Sequence, residues 1–384
     1  MSANTAAQLR LSRLRAQRLT PANAARSPVE AVRHLIGVQA QIPSAASFAV
    51  RVRTADARAV DVNRGIAPCG PLVRTWLMRG TLHLATAEDV DWLLAVLAPA
   101  VLRGSRRRHA ELGLSAATLA RSADLLVRLL AGGRATRSEL FAGLAEQGLD
   151  PAGQRGIHMI RHAALHGLLS CGPDQDREQT WVLREPSPPI PDREEALADL
   201  ANRYRRGYGP ADVHDLAAWS GLPVSDARQA WRLAGDGYDE PGHGGIRRPT
   251  VRLLPHFDPY LLGYAGRDHA VPAEHARKIW TGGGYVLPTV TVDGWAVGTW
   301  RSENRGGRIA VTVTPFDPRP LVEAVSARID AEVADIGRFL DRDVSWSVGT
   351  AREGGEQVSR AIRPASEQHP APVKSSEPPN GRRR

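Results

Sequence analysis

The strongest constraint on this chain is an order of elements that recurs. Residues 115–184 read as three short helices followed by a pair of strands. "SAATLARSADLLVRLLAGG" opens at a serine cap and closes in glycines. "TRSELFAGLAEQG" carries a Thr-x-x-Glu capping box, Thr136 to Glu139. "AGQRGIHMIRHAALHGL" sets Ile157, Ile160, Ala164 and Leu168 on one helical face, and "LLSCGPDQDREQTWVL" divides into two short strands around a polar loop. Three helices and a two-stranded wing make a winged helix-turn-helix, whose third helix is the expected reader of a DNA groove. Residues 28–100 follow a related plan: a helical run "PVEAVRHLIGVQ", a hairpin or wing in "VRTWLMRGTLHLAT", and the helix "AEDVDWLLAVLAPAVL". Residues 192–250 repeat the helices, and their loop "GDGYDEPGHGGIRRP" reads as a wing or a mobile hairpin.

From residue 251 the pattern shifts to period two, with strands in "VRLLPHFDPYLLGY", "YVLPTVTVDGWAVGTWR" and "GRIAVTVTPF", then one long amphipathic helix. The expected fold is therefore α+β, with tandem winged helix-turn-helix domains and a C-terminal β-rich domain. Its expected boundaries are 1–110, 111–188, 189–250 and 251–350, with a Pro/Ser/Glu/Gln-rich tail over 351–384 read as disordered. No run approaches the ~18 apolar residues of a membrane span. The N-terminus lacks the apolar stretch of a signal peptide. Cys69 and Cys171, far apart, make neither a disulfide framework nor a cysteine zinc motif, so a cytoplasmic location is expected.

The net charge of +9 rests almost wholly on arginine, since Lys278 and Lys374 are the only lysines. Arginine grips phosphate through two parallel hydrogen bonds and stacks on bases. Nucleic acid is thus the leading charged partner. Walker, dinucleotide and Gly-x-Ser-x-Gly motifs are missing, which leaves ATP, NAD and serine-hydrolase chemistry without support.

One short stretch does not fit a structural role. In "RHLIGVQAQIPSAASFAVRVR", Gln39 and Gln41 interrupt an apolar run just before Pro43. On a continuous helix they would face opposite sides. Pro43, however, biases Ile42 toward extended geometry, and in an extended segment both amides point one way and Ala40 the other. The pair would then converge on one small volume able to hold water or part of a substrate. The competing reading is that both amides cap a helix end.

"VQAQIPSAASFAVRVR" resembles the glutamine–apolar–glutamine signature of the AlkZ/YcaQ winged-helix DNA glycosylases. "RTWLMRGTLHL", "LLPHFDPYLLGYAGR" and "VLPTVTVDGWAVGTWR" resemble further segments of that family in the same order, so the likeness spans roughly residues 8–348. Gln41 stands where the YcaQ branch has Asp, and this places the chain with the AlkZ branch. The resemblance implies tandem winged helices around a basic concave face. It also implies excision of bulky N7-alkylguanines, including those in interstrand crosslinks, and a part in self-resistance to DNA-alkylating antibiotics. The expectation is a monofunctional, metal-independent DNA glycosylase without cofactor, acting as a monomer on double-stranded DNA that carries alkylated or crosslinked guanine. Gln39 and Gln41 share water positioning and oxocarbenium stabilisation, with their separate roles open. The alternative is a winged-helix transcriptional regulator without catalysis.

Other candidates come from spacing. Arg51 and Arg53 alternate behind the motif and are expected to grip phosphates. Arg74 and Arg79 flank the supposed wing, Arg106 and Arg107 sit in the basic run "RGSRRRH", and Arg247 and Arg248 in the glycine-rich loop; all are expected at DNA. His256 and Asp258, in "LPHFDPY", are candidates to line the active site. His158, His162 and His166 recur at helical spacing, but without a nearby acid or cysteine they are not read as metal ligands and are placed on a face near phosphates.

Overall fold

The first strand of the chain is only two residues long, and it carries Gln39. The computed structural model describes residues 3–67, 69–176, 178–185, 190–235 and 249–349. Helix α1 (Ala3–Ala16) leads to α2 (Pro28–His34), which begins on the Ser27 side chain with Pro28 in its first turn. The chain turns through Leu35–Gly37 into β1 (Val38–Gln39), then enters α3 (Pro43–Arg51) and α4 (Ala59–Ile66). β2 (Leu72–Trp76) and β3 (Leu82–Thr86) form an antiparallel hairpin. α5 (Ala87–Glu111) runs longer than the spacing predicts: it crosses Pro99 and takes in the basic run 103–109. The buried face Val90, Leu93, Leu94 and Leu97 anchors the turns ahead of that proline.

α6 (Ala116–Leu130) starts on Ser115, and β4 (Ala135–Thr136) passes into α7 (Arg137–Glu146) through the reciprocal Thr136–Glu139 box. α8 (Arg155–Leu165), β5 (Leu169–Cys171) and β6 (Thr180–Leu183) complete that stretch. α9 (Arg193–Tyr208), α10 (Val213–Ser220) and α11 (Val224–Leu233) follow. The wing expected at 235–249 and the tail 351–384 lie almost wholly or wholly outside the described residues, and so do Arg247 and Arg248.

The rest is β7 (Val251–Leu254), short helices α12 (Pro259–Leu262) and α13 (Ala276–Ile279), strands β8 (Thr289–Val292), β9 (Trp295–Arg305) and β10 (Arg308–Pro315), then α14 (Glu323–Leu340) and β11 (Val344–Val348).

Two sheets organise these elements. One has six strands in the order β1-β3-β2-β5-β6-β4. Its halves, expected as separate wings, join where Arg74 of β2 pairs with Cys171 of β5. The other has five strands in the order β11-β10-β9-β8-β7, antiparallel except for the parallel pair β10–β11. Ile329, Val333 and Ile336 of α14 cover it, packing on Leu253, Val290, Trp300, Val311 and Val313. Leu11, Leu14 and Val52 bury against Leu254, Phe257 and Tyr260, so the two ends of the described chain share a core. Among the described residues no helix is long and apolar enough to cross a membrane.

Candidate active site

The turn that delivers Gln39 is strained. Ile36 adopts φ 65°, a left-handed conformation that a β-branched residue avoids. It is fully buried, and its surroundings hold it there. At Gly37 an added Cβ would come within 2.8 Å of the Met78 methyl, so the chain passes close to the β2–β3 hairpin and a side chain there would push Met78 aside. β1 then pairs with β3, Gln39 opposite His83. Ile42 is extended (φ −110°, ψ 107°), as a residue before proline should be, and Pro43 opens α3.

In this extended segment Ala40 is buried and the two glutamines meet. The Gln39 amide donates to Gln41 Oε1. Gln39 itself is 8% exposed, whereas Gln41 is open to solvent. Arg79 Nη2 donates to Gln39 Oε1 at 2.9 Å. That bond orients the pair, because a guanidinium only donates. Gln39 must present its oxygen to Arg79, so its NH2 faces Gln41, which answers with its own oxygen. The Gln41 NH2 and a second lone pair on its oxygen remain for a ligand. Neither amide caps α3: Ile42 is its N-cap residue and makes no side-chain cap bond.

Arg74 and Arg79 lie against this segment. Arg74 Nε donates to the Ala40 carbonyl at 3.0 Å, between the two glutamines, and its Nη1 reaches Gln179 Oε1. Arg79 sits at the hairpin tip with φ 55°, turned inward, and also donates to the Trp219 carbonyl at the end of α10. Gly221, at φ 80°, lies under it, where a Cβ would stand 3.0 Å from the Arg79 backbone. Burial holds the Arg79 guanidinium below its ordinary pKa. His83 Nδ1–H donates to the Thr81 carbonyl at 2.9 Å; burial and the nearby Arg79 charge push its pKa down to about 3, so it is neutral at pH 7.

Arg51 and Arg53 are not at a DNA-facing surface. Both side chains have 0% exposure. Arg53 donates to both oxygens of Asp258, at 2.7 and 2.8 Å, to Gln17 Oε1 at 2.9 Å and to the Ala49 carbonyl at 2.9 Å. Arg51 pairs with Asp335 and with Glu332 of α14, and Glu332 also holds Arg252 at 2.6 Å. Arg51 ends α3 and Arg53 lies in the turn behind it, so period two does not apply here, and each is buried against acids from the far end of the chain. Asp258, itself fully buried, is thereby a structural partner, and it also accepts from the Tyr260 N–H at 2.9 Å. His256 Nδ1–H donates to the Val286 carbonyl at 3.0 Å, and burial lowers its pKa. The bonds of the glutamine pair run to Arg79 and to each other rather than to His256 or Asp258.

Arg106 and Arg107 are exposed on α5, Arg107 paired to Glu111 at 3.0 Å. Arg106 lines a cleft of about 950 Å³ together with His109, His162 and His166. His158 and His162 turn toward His109, with ring centroids 5.3 and 6.2 Å apart, and burial lowers both pKa values to about 4. Among the described residues no three His, Cys, Asp or Glu side chains are grouped to hold a metal ion. Residues that spacing did not single out are Trp219, Gly221 and His83, all brought to the glutamines by pairing across the chain.

The amide pair is uncharged, half sunk and half open, and its segment is held by two arginines of the hairpin. The family profile described as "DNA glycosylase AlkZ-like" matches residues 32–339, and the chain belongs to that family of DNA glycosylases, hydrolases of N-glycosyl bonds. An "Interstrand DNA cross-link repair glycosylase" from Streptomyces sahachiroi is 28% identical over 350 residues, covering 81% of this chain and 90% of that protein. The solved structure of the Streptomyces sahachiroi DNA glycosylase AlkZ superposes with a TM-score of 0.72 at 24% identity, over 89% of this chain and 99% of that one, which shows a shared mixed α and β fold.

Proposed function

We propose that this protein hydrolyses the N-glycosidic bond of bulky N7-alkylguanines in double-stranded DNA and unhooks interstrand crosslinks, with Gln39 and Gln41 as its catalytic pair. The observation that carries the reading is the oriented amide chain from Arg79 through Gln39 to an exposed Gln41. The crosslink-repair relative supports the substrate class. Resistance to an alkylating antibiotic is the corresponding physiological role, and the reaction is monofunctional and metal-independent. The helix–helix–helix–hairpin stretches act as tandem winged helices, and a monomer suffices because one chain carries them all.

N7 alkylation leaves a fixed positive charge on guanine. The C1′–N9 bond then breaks with its electron pair going to the base, which departs neutral without being protonated. Positive charge develops on the deoxyribose. Gln41 offers its carbonyl dipole to that charge and holds a water that adds to C1′, the water's proton passing to solvent. Preorganised dipoles of this kind are often the largest catalytic contribution. Gln39 acts chiefly by holding Gln41. A crosslinked base is tethered to the opposite strand and cannot swing into a deep pocket, and an exposed Gln41 needs no such pocket.

The test is base release. Duplexes carrying N7-alkylguanine, monoadducted or crosslinked, are incubated with the protein in EDTA and then treated with mild alkali to break abasic sites. Wild type should release base. Gln41→Ala should lose about 10²–10³ in rate, as for removal of an oxyanion-hole donor, and Gln39→Ala should also lose rate, both with DNA binding retained. Tight binding to undamaged duplex without release on either substrate would favour a winged-helix regulator.

A further inference from the structure

Next to the hairpin tip lies a second, smaller cleft of about 370 Å³, lined by Arg79, Arg108, His158 and Arg161 with Ser105 and Gly221 among its other walls. None of its lining residues is acidic. Arg108 has partners, Glu111 at 3.0 Å and Gln154 at 2.8 Å. Arg161 does not: among the described residues it has no carboxylate, and its Nε is buried without an acceptor. His158 Nδ1 is likewise buried and unbonded. The Arg161 guanidinium lies over the hairpin, where a Cβ on Gly80 would fall 2.2 Å from its Nη2. Arg161 is half-buried, and a cation partly withdrawn from water without a partner is costly unless a ligand supplies the missing charge. Burial alone accounts for the lowered pKa of Arg161, with no neighbouring anion opposing it.

We propose that this cleft binds a phosphodiester of the DNA backbone, with Arg161 of α8 as its central donor and Arg79 linking it to Gln39. The Arg161 fork supplies paired donors that match phosphate oxygens, His158 adds a further donor position, and Arg79 contributes its charge from the cleft wall. A free phosphate shares this chemistry. The backbone is the source assigned because Arg79 lines the cleft and bonds Gln39 at once, so the bound anion sits one side chain away from the glutamine pair. This rests on the reading of the chain as an enzyme of duplex DNA.

The experiment uses the full chain and undamaged duplex, so it needs no catalysis. Affinity is measured against salt for wild type, Arg161→Met and Arg161→Gln, alongside thermal melting with and without inorganic phosphate. Loss of one phosphate contact should make the slope of log K against log salt shallower by about 0.9. Melting of the free variants should stay level or rise, because a half-buried cation without a partner has been removed; a residue with a merely structural role would lower it. A wild-type slope in both variants overturns the proposal. If phosphate then raises the wild-type melting temperature and not that of Arg161→Met, the cleft belongs to the free anion. Base release by wild type on alkylated duplex is scored separately: its absence beside a changed slope refutes the glycosylase and leaves the phosphate site standing.

Discussion

Asp258→Asn separates a structural from a catalytic reading of the "LPHFDPY" stretch. Arg53 and Asp258 are both fully buried and joined by two charge-assisted hydrogen bonds at 2.7 and 2.8 Å. The substitution keeps the shape and an acceptor for the Tyr260 N–H, and it removes the charge. Arg53 keeps Gln17 and the Ala49 carbonyl but loses its counterion. Breaking a buried pair by removing one partner costs about 3–5 kcal/mol. In a chain of this size that is a fall in Tm of about 4–7 °C. Calorimetry and denaturant melts read the loss. Base release, measured well below the lowered Tm, should stay within a few-fold of wild type, because the glutamines bond Arg79 and not Asp258. Combining Arg53→Met with Asp258→Leu should recover part of the loss, since buried ion pairs are often replaceable by apolar groups of similar volume. A Tm within about 2 °C of wild type for Asp258→Asn, together with base release down a hundredfold, would refute this reasoning and return Asp258 to the active site.

Arg74→Ala removes the donor on the Ala40 carbonyl; a hydrogen bond from a charged group is worth about 1.5–3 kcal/mol. It should slow base release at saturating DNA while affinity changes little, and a unchanged single-turnover rate would show that Arg74 does not position the pair. Acid should destabilise the fold. His34, His83 and His269 have pKa values lowered by burial to about 4, 3 and 3. Unfolded, each would bind its proton near pH 6.5, so the unfolded state takes up more protons below that pH. Their contribution to stability is complete above about pH 6.5 and falls as the pH drops toward 4, by about 1.4 kcal/mol per pH unit for each histidine. Urea melts at pH 7 and pH 5 check this, and equal midpoints would rule it out.

The glutamine pair was legible in the sequence because its geometry is local. Pro43 constrains Ile42, and period two does the rest. The capping boxes and the hairpins are local in the same sense. Arg51 and Arg53 are expected to share a face by the same alternation, but Arg51 ends α3 and Arg53 sits in the turn after it. Alternation says which side chains share a face and not what that face meets. Their acids lie 205 residues away for Asp258, 281 for Glu332 and 284 for Asp335. Arg79 was placed at the hairpin, but its left-handed φ and the glycine at 221 that receives it turn the tip inward. Arg161 carries no signal in the sequence beyond its charge; only the absence of an acid in three dimensions sets it apart.

The misread arginines bear on how an open site can be rigid. A deep pocket holds its catalytic side chains by packing walls around them, and an exposed amide such as Gln41 lacks those walls. Its support has to come from behind and from the sides. Behind it, α3 begins at Pro43, and Arg51 at its last turn fastens that helix to Glu332 and Asp335 of α14. At the sides, Arg74 grips the Ala40 carbonyl and Arg79 grips Gln39. Arg51 and Arg53, expected to grip phosphates, are buried in ion pairs instead, while Arg74 and Arg79 bond the segment that carries the glutamines. The pairs of Arg51 with Glu332 and Asp335 thus tie α14 to the helix that follows the two amides. Substitutions at Glu332 or Asp335 should therefore lower the rate of base release from bound DNA more than they lower affinity, and equal losses in both would mean that α3 is held without them.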